Sequence, residues 1–213
     1  METETATPDL KGINAQIARC RLCKLGEHAR AVPGEGNPRA SIMLVGEAPG
    51  FYEDQQGRPF VGAAGQFLDE LLKAAGYSRS DVYITNVVKH RPPGNRDPEP
   101  DELEACDGFL RAQIAAIQPR VIVTLGRFSL AKFIPNVRSM REVHGKTFAH
   151  NGLLVCAMYH PAAALHQGSL RAVIEQDFRM LPAIVARAEQ SAASNTAPST
   201  GEPTPAPEQM ALW

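Results

Sequence analysis

Four segments of this chain stay apolar and β-branched for the length of a strand: SIMLVG (41–46), VYITNVV (82–88), RVIVTLG (120–126) and LLVCAMY (153–159). A strand that is apolar on both faces cannot leave one of them in water, so it belongs in a parallel sheet covered above and below. Between the first two, FLDELLKAAG (67–76) sets Phe67, Leu68, Leu71, Leu72 and Ala75 at helical spacing, with Gly76 as the stop. Glu99 to Gln118 reads as a second helix behind a proline-rich start. Residues 170–188 read as a third, built on Val173, Ile174, Phe178, Leu181 and Ile184. Strands alternating with helices predict an α/β fold, a three-layer α/β/α sandwich around a central, mostly parallel four-stranded sheet.

In sheets of this kind, ligands bind beyond the carboxyl ends of the strands. That rule gathers four clusters onto one rim: Gly46 to Gly50 (GEAPG), Asn86 to His90, Gly126 with Arg127, and His160 with Pro161. A lone histidine after a strand is commonly structural, but His160 shares its rim with Glu47 and Asn86. Glu, Asn and His make a set without an evident Ser or Cys nucleophile, without a phosphate-binding glycine-lysine loop and without GxGxxG. Hydrolysis, or recognition by placed hydrogen bonds, fits such a set better than covalent transfer or hydride chemistry. Phe60, in GRPFVG, either caps the core or offers a ring face to a planar ligand.

The length, 213 residues with 44% hydrophobic, suits one main domain, placed at 10–190. Residues 1–9 are expected to be disordered. The stretch 191–208, rich in Ser, Thr, Ala and Pro, is expected to be a flexible linker to an apolar terminus, QMALW (209–213). The opening METETATPDL has neither a basic start nor an apolar segment, and no run approaches the roughly 18 to 20 apolar residues of a membrane span. A cytoplasmic protein is the expectation. Setting aside Glu2, Glu4, Asp9, Glu202 and Glu208 at the ends leaves 22 basic against 18 acidic residues, a mildly basic body that permits a polyanionic partner. Of the four cysteines, Cys20 and Cys23 form a CxxC pair, which in a reducing compartment is more often a metal or redox site than a disulfide.

GEAPGFYEDQQGRPFVG (46–62), ITNVVKHRPPGNRDP (84–98) and YHPAAAL (159–165), in this order behind CRLC, resemble the family 4 uracil-DNA glycosylases, the iron–sulfur type. The similarity runs from about Cys20 to Leu181. It implies a monomeric enzyme that flips uracil out of DNA and hydrolyses its glycosidic bond, initiating base excision repair. By this resemblance Phe60 stacks on the base, and Asn86 pairs with O4 and N3–H of uracil, a pattern that cytosine reverses. His160 donates to O2 as negative charge develops there, much like an oxyanion hole. Glu47 orients water or stabilises the cationic sugar, Gly46 and Ala48 line the uracil pocket, and Leu165 is the wedge that fills the vacated stack. Arg91, Asn95 and Arg96 are the candidates for backbone phosphates.

The family holds its cluster with four cysteines, one of them in a position matching VVKCRPP. Here that position is His90, so the resemblance implies a ligand set of Cys20, Cys23, His90 and Cys106. The expected cofactor is a [4Fe-4S] cluster, with zinc as the alternative that a Cys3His set also suits. Cys156, inside the fourth apolar run, reads as a core residue. A related glycosylase that becomes covalently trapped on uracil-containing DNA shares VKH, but it carries a histidine-bearing loop that RPPGNRDPEPDELEA lacks. Turnover is therefore expected over trapping, and a metal-stabilised nucleic-acid-binding module without catalysis is the remaining rival. At the terminus, Gln209, Met210, Leu212 and Trp213 resemble a bacterial sliding-clamp binding peptide on a flexible tether.

Overall fold

The computed structural model describes residues 9–196, with side chains through 191. Six strands form one mixed sheet: β1 (Glu35–Gly36), β2 (Ile42–Gly46), β3 (Tyr83–Asn86), β4 (Val121–Leu125), β5 (Thr147–His150) and β6 (Leu153–Met158). Their order is β1-β3-β2-β4-β6-β5. The four apolar runs are the inner strands β3, β2, β4 and β6, all parallel. Two antiparallel edges, β1 and β5, enlarge the expected four-stranded sheet to six. Neither edge carries the apolar signature, because an edge strand pairs on one side only. β1 is the pair Glu-Gly, and β5 is half-exposed TFAH.

Ten α-helices among the described residues complete the layers. α1 (Leu10–Ala18), α2 (Leu25–His28) and α3 (Phe51–Gln56) precede α4 (Ala63–Ala74), and α5 (Pro100–Ile117) is the longest. α6 (Arg127–Ala131), α7 (Met140–Val143) and α8 (Ala162–His166) are short, and α9 (Leu170–Arg179) leads into α10 (Leu181–Thr196). Strand residues alternate between two cores. Ile42, Leu44, Val121 and Val123 pack with α4, α9 and α10, while Met43, Val45, Ile122 and Val155 pack with α5 and α6. α1 lies outside this sandwich, seating Ile13 and Ile17 near Phe109, Ala112 and Ala116 of α5.

Two boundaries differ from expectation. Residues 170–188 form two helices with a break at Met180, since Pro182 has no N–H to continue the ladder and is tolerated only in a first turn. α10 then runs to Thr196, so the first six residues of the expected linker 191–208 are helical. The remainder of that linker, residues 1–8 and the terminal QMALW lie outside the described residues. No helix among the described residues is long and apolar enough to cross a membrane.

The order of the inner strands reverses at β2. β3 lies on one side, and the chain then crosses over to place β4 on the other. The crevice beyond the ends of β2 and β4 is the switch point where such sheets bind ligands.

Candidate active site

At the end of β2 the backbone has no room for a side chain. A Cβ on Gly46 would lie 2.3 Å from Asn86 Oδ1 and 2.7 Å from Phe60 Cζ, so glycine lets both groups close over the strand end. The pairing of β2 and β3 continues past the sheet, where Val87 N–H donates to Gly46 O at 3.0 Å and Val88 N–H to Glu47 O at 3.2 Å. Glu47 and Asn86 are thereby fixed on one rim.

Phe60 holds a backbone conformation rare for a bulky residue, with φ at 52°. Several contacts impose it. Arg79 donates to the carbonyls of Phe60 and Pro59 while its own position is set by Glu35 at 2.7 Å and Asp69 at 2.6 Å. Glu53 Oε1 accepts from Val61 N–H and Gly62 N–H at 2.8 and 2.9 Å. Gly65 passes so close beneath that a Cβ there would meet the Phe60 carbonyl at 1.8 Å. Strain held in this way marks a site that the surrounding structure over-determines.

Phe60, Asn86, His160 and Glu47 all line one cavity of about 640 Å³. The rings of Phe60 and His160 lie within 24° of parallel, with centroids 5.4 Å apart. Asn86 is 1% exposed and its Oδ1 has no hydrogen-bond partner. A buried acceptor left unpaired costs on the order of 1–3 kcal/mol, so it calls for a ligand that donates. His160 Nδ1 accepts from Ala162 N–H at 3.1 Å, which leaves Nε2 to carry the proton. Burial pushes its pKa down to about 4, with the Glu53 charge opposing, so the ring is a neutral donor at pH 7. Glu47 accepts from Phe128 N–H at 3.4 Å, and burial raises its carboxyl above the usual glutamate range despite that bond and the Arg127 charge. Gly126, at φ 98°, gives the carboxylate its space, since a Cβ there would stand 2.2 Å from Glu47 Oε1.

Ala48 lies on the cavity wall, and Leu165 projects from α8 at its edge, half exposed. Arg91 donates through Nε to Asn95 Oδ1 at 2.7 Å and lies over the Phe51 ring. Arg96 lines the same cavity and is held by an ion pair. Its guanidinium grips the buried Glu102 carboxylate in two bonds of 2.6 and 2.9 Å, bracing the loop.

Behind the rim, His90 is 1% exposed and both ring nitrogens lack a partner. It packs on the turn after the CxxC pair, where a Cβ on Gly26 would sit 2.9 Å from the Cys20 carbonyl and 3.5 Å from His90 Cε1. Cys106 is buried, and burial pushes its thiol up to about 11. The Lys89 N–H and ammonium oppose that rise, and Cys23 and Cys20 add to it. The three sulfurs and the imidazole thus converge on one buried region, and all the cysteines are free. Among the described residues no three His, Cys, Asp or Glu side chains form a ready cage for a single ion. The donor set nevertheless fits a thiolate-bound group, because two orphaned imidazole nitrogens lie beside three free thiols, which a metal would deprotonate on binding.

Three contributors were not legible in the sequence. Lys89 is wholly buried and donates to Thr85 Oγ1 at 2.8 Å, Asn86 O at 2.7 Å and Gln113 Oε1 at 2.8 Å, holding Asn86 from behind. A lysine closing the apolar run NVVK was the available signal. Glu53 and Arg79 shape the Phe60 loop from afar, and nothing in their local sequence marks them.

Residues 33–179 match the family model of the Uracil DNA glycosylase superfamily. The chain is 48% identical over 182 residues to the Type-4 uracil-DNA glycosylase of Sulfurisphaera tokodaii, covering 81% of this chain and 83% of that one. Identity to the Type-4 uracil-DNA glycosylase of Archaeoglobus fulgidus is 47% over 182 residues, 81% and 91% of the two chains. The Type-5 uracil-DNA glycosylase of Thermus thermophilus is more distant, at 37% over 131 residues, 54% and 59% of the two chains.

Proposed function

The chain belongs to the Uracil DNA glycosylase superfamily, and on that premise we propose that it excises uracil from DNA by flipping the nucleotide into the cavity and hydrolysing its N-glycosidic bond. The observation that carries this reading is the orphaned Asn86 Oδ1 beside Phe60 and a neutral His160. Uracil offers N3–H to that oxygen and O4 to the amide N–H. Cytosine would present an acceptor to an acceptor and leave both unpaired in a buried site.

Two stacking contacts need about 7 Å between rings, at roughly 3.5 Å each. The 5.4 Å between Phe60 and His160 is too narrow for a base to slide between them. The base therefore lies on Phe60 with its O2 edge toward His160 Nε2–H. As the glycosidic bond breaks, electrons move to the departing uracil and this proton donor stabilises the charge, while the sugar becomes oxocarbenium-like. Glu47, buried but beside Arg127, supplies a carboxylate to that cation or to the attacking water.

Cys20, Cys23, Cys106 and His90 would hold a [4Fe-4S] cluster, which supplies a structural tie between the N-terminal segment and the loop after β3. Iron and sulfide in the purified protein are expected, and stoichiometric zinc without iron overturns the cluster. In the same reading the enzyme is a monomer in the reducing cytoplasm, where unbonded cysteines persist, and QMALW anchors it to a sliding clamp. Clamp affinity unchanged by deleting 209–213 overturns that anchor.

The activity is tested by incubating the protein with a uracil-containing oligonucleotide and then adding alkali. Strand breakage at uracil is expected. An adduct resistant to denaturation means trapping, and neither outcome means binding without chemistry.

A further inference from the structure

Among the described residues the large apolar side chains left exposed are Leu22, Phe51, Tyr52, Leu165 and Met180, and three of the five, Phe51, Tyr52 and Leu165, border the same cavity. Phe51 and Tyr52 open α3 at 49% and 58% exposure, with their rings edge to face and centroids 5.4 Å apart. α3 does not use them to hold itself in place, since no residue of it is buried. Polar groups moor it instead. Glu53 takes the two backbone N–H groups of the Phe60 loop, Asp54 accepts from Arg30 N–H at 2.7 Å, and Arg30 donates to the Gln55 carbonyl at 3.1 Å. Exposing two aromatic rings on a fixed helix is unfavourable unless something flat covers them. Arg91 lies 5.1 Å over the Phe51 ring and brings a cation to the same edge.

We propose that Phe51, Tyr52 and Arg91 form a stacking shelf for the DNA base flanking the extruded uridine, so that the enzyme grips its substrate as an unstacked single strand. This rests on the glycosylase reading and deepens it. The occupant follows from continuity, because the shelf adjoins the cavity that would receive the flipped base, with Leu165 on the same rim. Once a nucleotide has swung out, its neighbour loses a stacking partner, and an aromatic face restores that contact for any base. A cation beside the ring suits the strand's phosphates.

A single-stranded oligonucleotide carrying 2′-fluoro-deoxyuridine, which resists cleavage, next to 2-aminopurine reads this contact, with the full-length protein throughout. Wild type should quench the 2-aminopurine fluorescence. Phe51→Ala and Tyr52→Ala should relieve that quenching and weaken binding roughly tenfold, the scale of one lost base–aromatic stack, at an unchanged salt dependence. Arg91→Ala should instead lower the salt slope by about one. Both aromatic variants binding and quenching as wild type does would refute the shelf. Excision of ordinary uracil is assayed separately by alkaline cleavage. A wild type that quenches the reporter but leaves uracil in place would keep the shelf and sink the glycosylase reading.

Discussion

Gly46 gives the sharpest test among single residues, because the space it leaves is already filled by Asn86 and Phe60. Gly46→Ala would drive a methyl into Asn86 Oδ1 at 2.3 Å and the Phe60 ring at 2.7 Å. The side chains can yield into the cavity, so the fold survives while the recognition geometry shifts. A displacement of that size is expected to lower uracil excision about 100-fold, with the thermal midpoint within a few degrees of wild type. Equal loss of both would make Gly46 a folding residue instead. pH separates the two ionisable groups of the site. His160, depressed to about 4, is already neutral across the working range, and protonating it would put a proton on Nδ1, where Ala162 N–H points. The fold's preference for the neutral ring is full above the ordinary value near 6.5 and is lost as pH falls through about 4. Glu47 moves the other way, held above 4.5 by burial, and it must ionise to serve a cation or a water. The acidic limb of excision should therefore lie above pH 4.5 and vanish in a slow Glu47→Gln variant. A limb that persists in that variant would remove Glu47 from the titration.

Among the elements, α5 was readable from its start. The proline-rich start is a local signal, and the helix runs within one residue of its expected ends, with a Glu99–Glu102 capping box that the structure adds. What lay hidden was the partner of Glu102. Arg96 meets that fully buried carboxylate, and Lys24 approaches both Glu99 and Glu102. Glu102→Ala removes an N-terminal cap and leaves Arg96 with Glu99 as its remaining acidic partner, and the lost cap is expected to cost about 1 kcal/mol. Urea unfolding should show a lower midpoint at an unchanged slope, and a neutral result would make the pair ornamental. The contrast with β1 and β5 is physical. Apolar runs and caps are written in adjacent residues, whereas a two-residue edge strand or a loop braced by Arg79 exists only through distant partners. The site divides in the same way. Asn86, His160 and Glu47 follow strands and could be placed by topology, but Lys89 and Glu53 act through backbone groups that no spacing reveals.

On the scale of the whole molecule, the chain before β1 joins the sandwich through a small core and a set of polar contacts, and the buried sulfur and imidazole region lies among them. α1 contributes Ile13 and Ile17 to a small core and packs Leu10 against a main one. Asn14 reaches Tyr83 and Gln113, Val32 N–H donates to the Lys89 carbonyl, and Lys24 pairs with Glu99. The main cores on either side of the sheet involve none of the proposed ligands except through neighbours. Removing the proposed metal should therefore loosen α1, α2 and residues 86–96 while the inner strands stay closed. Because His90 is four residues past Asn86 and Lys89 holds the Asn86 carbonyl, excision should fall in step with that loosening. Hydrogen exchange before and after iron chelation reads both, with amides of 10–30 exchanging faster and those of β2 and β4 unchanged. His90→Cys is expected to keep metal and activity, since thiolate is the softer ligand for iron, whereas His90→Ala should lose the metal and reproduce the chelated pattern. If chelation unfolds the sheet at once, or leaves the N-terminal amides protected, the metal is not the hinge between these two parts of the fold.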